Sequence, residues 1–243
     1  MQNSQTLSLV CIVDEVDSTN EFLQNIAIEY KNKYIQPILF FSKVQSKGKG
    51  RGGKSFYSPK GGIYFSLLFT EPNLEPNLSL KVALFIIKKL KKLYNLPFKI
   101  RWPNDLILED MKFGGILVEV KENSVIVGVG LNLTKDISSK IKDQKVTYLN
   151  KYIKRKLKIE EFYNLVEKWF SSNFFKFIKS PINLNEWERY SYFKEGDLLK
   201  WEGGREEKNG IYKGISKEGF LKVEVNGEIK NLTSVEKINK LLM

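Results

Sequence analysis

The run SKGKGRGGKS, residues 46–55, gathers the groups in this chain best suited to hold an anion. From Gly48 to Ser55 it satisfies G-x-x-x-x-G-K-[ST], the phosphate-cradling P-loop, and Gly48–Gly53 also satisfies G-x-G-x-x-G, the dinucleotide fingerprint. Both patterns need a helix directly after the loop, so that helix-end N–H groups point at phosphate. Ser55 is followed instead by Phe-Tyr-Ser-Pro-Lys-Gly-Gly, and Pro59, Gly61 and Gly62 forbid a regular helix. Both matches are accidental. What remains is a loop between strands in which Gly48, Gly50, Gly52 and Gly53 alternate with Lys47, Lys49, Arg51 and Lys54. Glycine allows close backbone approach, and the cations supply charge-assisted donors. The stretch reads as a cradle for phosphate or carboxylate.

Two further stretches carry chemistry. Arg101-Trp102-Pro103-Asn104-Asp105 is followed by Lys112-Phe113-Gly114-Gly115-Ile116. Asp105 and Lys112 flank a tight connection between strands, which lets them face one pocket. Gly114 and Gly115 remove side chains where a ligand would approach the sheet, and Gly128-Val-Gly130-Leu-Asn132 does the same on the next strand. The chain has no histidine and one cysteine, Cys11. Imidazole acid–base chemistry, Ser/His/Asp and Cys/His arrangements and multi-cysteine zinc sites are therefore excluded. Cys11, in the apolar run Leu9–Val13, reads as a buried strand thiol. Chemistry must rest on Lys, Arg, Asp, Asn and backbone amides.

The elements that would position these groups follow from the apolar pattern. Strands are expected at Leu9–Val13, Pro37–Val44, Gly62–Phe69, Phe98–Trp102, Asp105–Leu108, Phe113–Lys121 and Ser124–Leu133. Trp102-Pro103 reads as an extended step. Ser18 and Glu21 form an S-x-x-E capping box that starts a helix through Phe22, Leu23, Ile26 and Ala27. Asn77–Tyr94 has apolar residues at helical spacing, with Lys81, Lys88, Lys89, Lys91 and Lys92 as a solvated face. Ile159–Ile178 reads as one helix, Leu184–Tyr190 as a short one, and the polar Lys135–Lys145 as a loop. Short connections, such as Glu109–Lys112 and Glu122-Asn123, imply antiparallel neighbours. From about Tyr192, Gly and Asn-Gly punctuate short alternating strands, the texture of a small all-β barrel.

The 243 residues, 42% hydrophobic, suit one large domain plus a small one, and no apolar run is long enough to span a bilayer. The N-terminus lacks a basic region and reaches Asp14 early, so no signal peptide is expected, and a soluble, cytoplasmic protein is the expectation. The net charge of +12 is spread over many lysines and fits acidic protein partners or phosphorylated substrates better than nucleic acid.

In order along the chain stand D-S-T-N at a helix start, Q-x-x-G-[KR]-G-R, [KR]-W-P-N-D, K-x-x-G-I-L-V-E and G-x-G-x-N. Together they resemble the biotin protein ligases over nearly the whole length. The resemblance implies an α+β fold: a mixed, mostly antiparallel sheet backed by helices, of the class II synthetase-like type, over residues 1–190. Residues 191–243 would form the family's SH3-like β-barrel. It implies ATP and biotin as substrates, with magnesium accompanying ATP and no dedicated metal site. Biotinyl-5′-AMP would form with release of pyrophosphate, and a lysine of a biotin carboxyl carrier protein would then attack it.

Carried over by motif, Ser18, Thr19, Asn20 and Gln45 would contact biotin. Gly48, Lys49, Gly50 and Arg51 would form the loop over its carboxylate, with Gly115 beside it, and Lys112 would reach the reacting carboxyl and phosphate. Lys54, Phe56, Asn104, Asp105 and Asn132 would complete the nucleotide side. Arg51, Lys112 and Asp105 are the expected catalytic residues. Lys49 stands where the family usually has Arg, which keeps charge without the bidentate fork, and Phe56 stands where Trp is common. About ten residues precede the first strand, too few for a winged-helix domain, so specific DNA binding is not expected. The rival is a lipoate ligase; an octanoyl-transferring enzyme would need a cysteine nucleophile, and Cys11 lies in no such motif.

Overall fold

The computed structural model describes residues 7–30, 33, 35–71, 76–203, 206–235 and 237–241. Strand β1 (Leu9–Val16) pairs in parallel with β2 (Ile38–Gln45). A parallel pair needs a crossover, and helix α1 (Thr19–Glu29) supplies it. Ser18 caps that helix, its Oγ accepting from the Glu21 N–H at 3.5 Å. The sheet then runs antiparallel through β3 (Gly62–Thr70), β7 (Ser124–Asn132), β6 (Met111–Lys121), β5 (Asp105–Leu108) and β4 (Lys99–Arg101). The β5–β6 turn places Glu109 and Asp110 at φ 49° and 58°, the left-handed pair that matches hairpin twist.

The two faces of this seven-stranded sheet have different fates. Odd positions of β3 and β7, among them Phe65, Phe69, Val125 and Val127, are fully buried under α2 (Leu78–Tyr94), α3 (Ile159–Ser172) and α4 (Phe174–Lys179). Edge-to-face aromatic contacts knit this layer, as between Phe65 and Phe170 and between Phe85 and Phe174. Even positions face α1 at one end, where Leu23, Ala27, Phe40, Leu68 and Ile126 make a small core. Toward β5 the same face is left open.

Four expectations are corrected. Lys81 is not part of a solvated face: it is 2% exposed, and its Nζ donates to the Ile178 carbonyl at 2.8 Å, a cation at the C-terminal end of α4. The helix expected over Ile159–Ile178 breaks at Asn173 (φ −121°), where Ser171, Ser172 and Asn173 compete for backbone hydrogen bonds. Cys11 is half-buried on the edge strand rather than enclosed. The Trp102–Pro103 peptide, read as an extended step, is cis.

After α5 (Leu184–Tyr190) the chain forms a second, five-stranded antiparallel sheet in the order β11-β10-β9-β8-β12. Its strands are β8 (Leu198–Gly203), β9 (Glu206–Ile215), β10 (Leu221–Val225), β11 (Glu228–Leu232) and β12 (Ile238–Lys240). Buried donors from the β4–β5 turn, the start of α2 and α5 tie it to the first unit. Trp102 Nε1 donates to the Gly219 carbonyl at 2.9 Å, Asn77 Nδ2 to the Lys217 carbonyl at 2.9 Å, and Trp187 Nε1 to Tyr212 Oη at 3.1 Å. One continuous hydrophobic cluster spans both sheets. Among the described residues, no helix is long and apolar enough to cross a membrane.

Candidate active site

The open end of the sheet's even face is the floor of a cavity of about 780 Å³. Register builds that floor. Gly115 of β6 lies opposite both Asp105 of β5 and Gly130 of β7, and Gly128 lies opposite Ser66 of β3. A bulge in β6 then matters: Leu106 pairs with Gly114 but Ile107 pairs with Lys112, leaving Phe113 as the extra residue. Lys112 and Gly115 are an odd number of positions apart, so in a regular strand they would face opposite ways. The bulge resets the alternation. Lys112 joins Asp105 and Gly115 on the cavity face while Phe113 stays fully buried in the core.

There Lys112 Nζ meets Asp105 Oδ1 at 2.7 Å. Arg101 grips Oδ2 from the other side through NH2 at 2.6 Å and Nε at 3.1 Å. Gln144 holds the same guanidinium at 3.3 Å. Burial alone would raise the Asp105 carboxyl; Lys112 and Arg101 more than offset it and hold the group below the usual carboxylate range. The Lys112 ammonium also lies 5.7 Å from the Phe56 ring centroid. Phe56 rests where β7 has no side chain, because a Cβ on Gly130 would come within 2.5 Å of its ring.

At the other end, α1 delivers Ser18, Thr19 and Asn20, each buried. Gln45, closing β2, accepts from the Thr19 N–H at 2.9 Å and from Thr19 Oγ1 at 3.0 Å, and its Nε2 donates to Ser58 at 2.8 Å. Ser66 Oγ lies 2.7 Å from Thr19 Oγ1 and 2.6 Å from Asn20 Oδ1. The side chains that line this end are neutral and hydrogen-bonded; those at the other are charged. Asn104 anchors the β4–β5 turn, donating to the Ile116 carbonyl at 2.7 Å. Asn132 gives its Nδ2 to the Thr147 carbonyl at 3.0 Å, while its buried Oδ1 has no partner among the described residues.

The glycine loop folds over this cavity. Lys49, Gly50, Arg51 and Lys54 line it together with Ser18, Thr19, Asn20, Gln45, Phe56, Asn104, Asp105, Lys112, Gly115 and Asn132. Gly48 does not: it is buried behind the wall, where a Cβ would strike the Phe56 carbonyl oxygen at 2.3 Å. The protein itself engages the loop's cations, Lys47 Nζ meeting Asp17 at 2.8 Å. Lys49 Nζ pairs with Glu21 at 3.1 Å, and Arg51 donates to the Val235 carbonyl just before β12. Burial pushes the Arg51 guanidinium down, and the charge of Asp105 draws it back up.

The structure adds residues that sequence reasoning passed over. Ile137, Lys140, Ile141, Lys142 and Gln144, from the segment read only as a polar loop, form one wall. That segment runs beside β6, with the Lys112 N–H donating to Lys145 at 3.0 Å and Thr147 donating to the Lys112 carbonyl at 2.9 Å. Glu202, Lys237 and Asn239 reach in from the second sheet. Arg101 had a signal, since it opens the W-P-N-D stretch; the polar loop and the distant tail had none.

A neutral end fit for a polar ring and a cationic end fit for carboxylate and phosphate, under one glycine loop, describe an acid-activating ligase. The statistical profile of the Biotin/lipoate A/B protein ligase family matches residues 13–136. The chain belongs to that family. It is 27% identical to the Bifunctional ligase/repressor BirA of Escherichia coli, over 91% of this chain and 71% of that protein. It is 28% identical to the Biotin--[acetyl-CoA-carboxylase] ligase of Mycobacterium tuberculosis, over 51% of this chain and 49% of that one. Among solved structures it is similar to the biotin protein ligase of Aquifex aeolicus in complex with biotin and ATP. That match has a TM-score of 0.77 and 29% identity, covering 98% of this chain and all of the other.

Proposed function

We propose that the chain is an ATP-dependent biotin–protein ligase, which joins biotin to AMP and then passes the biotinyl group to a lysine of a biotin carboxyl carrier protein. The observation that carries this reading is the polarity of one cavity: a neutral row at Thr19, Asn20, Gln45 and Ser66, and the Arg101–Asp105–Lys112 cluster across a glycine floor. The Aquifex aeolicus relative, crystallised with biotin and ATP, supports it. Residues 1–190 would be the catalytic unit and 191–243 an SH3-like unit closing one side.

Each group then has a task. Ser18, Thr19, Asn20 and Gln45 hold the head of biotin. The Gly48–Arg51 loop covers its carboxylate. Lys112 moves from Asp105 toward the carboxylate and α-phosphate, which repel each other unless fixed cations bring them into line. No enzyme nucleophile is needed, in keeping with the chain's lack of histidine. The unpartnered Oδ1 of Asn132 suits an amino donor such as that of adenine or the incoming amine. Asp105 is too weak a base to take a proton from a lysine ammonium, whose ordinary pKa is about 10.4; it would orient Lys112 and the acceptor instead. Magnesium would arrive with ATP. Among the described residues, no three carboxylate, thiol or imidazole groups are placed to cage a metal, so the triphosphate would carry the ion. Dependence on ATP points to the cytoplasm.

ATP–pyrophosphate exchange tests this directly. Exchange should depend on biotin and not on lipoate, and labelled biotin should then appear on a carrier domain. Lys112→Ala should lower exchange by about 10²–10³-fold in a folded protein, the usual cost of one preorganised donor. Exchange driven by lipoate, or none with biotin, would refute the proposal.

A further inference from the structure

Glu119 belongs to the K-x-x-G-I-L-V-E stretch, yet none of the roles above uses it. It lies on β6 on the cavity face, and its Oε2 accepts from Asn20 Nδ2 at 2.7 Å. The same Nδ2 also faces the Leu117 carbonyl at 3.5 Å. Carboxylate and carbonyl oxygens only accept, so the Asn20 amide nitrogen is committed to them and its Oδ1 must turn inward. There it meets Ser66 Oγ. The amide is pressed against the sheet, since a Cβ on Gly128 would lie 2.1 Å from that Oδ1.

Inward of Asn20, oxygens stand in a row: Asn20 Oδ1, Ser66 Oγ, Thr19 Oγ1 and Gln45 Oε1, at successive separations of 2.6, 2.7 and 3.0 Å. Gln45 is pinned as Asn20 is, because the Thr19 N–H donates to its Oε1. Both ends of the row are carbonyl oxygens, so the two hydroxyl protons of Ser66 and Thr19 must serve three gaps. One contact always lacks a proton. The row is short of donors.

We propose that Glu119 is a positioning residue: it locks the Asn20 amide with its oxygen inward and so makes the head-group pocket select a ligand ring that brings N–H donors. A ureido ring does so; the dithiolane ring of lipoate has none. This inference rests on the biotin-ligase reading and assigns the origin of its selectivity.

Glu119→Gln is nearly isosteric but carries an amide donor of its own, so it can also hold Asn20 the other way round, leaving only the long Leu117 contact to favour the inward oxygen. In biotin-dependent exchange, its biotin KM should rise about tenfold, the scale of a lost charge-assisted hydrogen bond, with the ATP KM, kcat and thermal midpoint unchanged. Asn20→Asp alone sets two carboxylates together and should also weaken biotin. Combined with Glu119→Gln, it restores a donor–acceptor pair with an oxygen turned inward, and the biotin KM should return to within about threefold of wild type. An unchanged biotin KM in Glu119→Gln, an equal rise for biotin and ATP, or no recovery in the pair would overturn the assignment. Absence of biotin-dependent exchange in the wild-type chain would remove the ligase reading and this inference with it; wild-type exchange beside a normal Glu119→Gln would remove this inference alone.

Discussion

Asp105 shares its carboxylate between two cations, Lys112 at 2.7 Å and Arg101 at 2.6 Å, with their side chains only 16–19% exposed. Such a cluster holds together only while the carboxyl is ionised. Its folded-state value lies below the ordinary one, so its contribution to stability is complete above about pH 4 and fades as pH falls through the depressed value. Asp105→Asn should therefore be less stable than wild type at pH 7, and the gap should close in acid. Urea midpoints at neutral and acid pH check this; a gap that widens in acid would contradict it. The same variant should slow transfer from preformed biotinyl-AMP, because it frees Lys112 and Arg101 from their guide. Lys112 and Asp105 were legible in the sequence, where their motifs flank a short turn. Arg101 had a signal at the head of W-P-N-D, but Gln144 behind it had none, since only the folded register brings position 144 to position 101.

At the level of elements, the strands were the most legible part. Apolar alternation and the turns at Glu109-Asp110 and Glu122-Asn123 placed β5, β6 and β7 to within a residue or two. The bulge at Phe113 was not legible, although it aims Lys112. A bulge is a relation between two strands, and one strand's pattern shows only that Lys-Phe-Gly-Gly breaks alternation. The glycine stretch was read as an anion cradle, and Gly48 within it is a packing residue behind the wall rather than a lining one. Gly130 shows how the sheet makes room. A Cβ there would overlap the Phe56 ring that lies beside Lys112. Gly130→Ala should cost about 1–3 kcal/mol through overpacking and reduce exchange by displacing Phe56. Urea denaturation and the exchange assay measure both; a variant of full stability and full activity would show that Phe56 does not rest on that glycine in solution.

For the whole molecule, the change of texture near Tyr192 announced a second β unit, but not that it would close the site. Its hydrogen bonds through Trp102, Asn77 and Trp187, and the continuous core across both sheets, make the two parts one packed body. Long-range contacts of this kind leave no local signature, which is why Glu202, Lys237 and Asn239 escaped sequence reasoning. One body should unfold in one step. Tryptophan fluorescence, which samples Trp169 in α3 and Trp201 in β8, should give the same midpoint as far-UV circular dichroism. Two separated transitions would mean that the sheets are stable independently.

Biotin and nucleotide meeting over one glycine floor is the arrangement from which every role assigned above descends. A crystal structure of the chain with biotin and a non-hydrolysable ATP analogue measures it directly. The head of biotin should lie against Thr19, Asn20 and Gln45, the adenine near Asn132, and Lys112 Nζ within hydrogen-bonding distance of both the biotin carboxylate and the α-phosphate. Ligands seated on separate surfaces, or Lys112 still held by Asp105 and touching neither, would contradict the account.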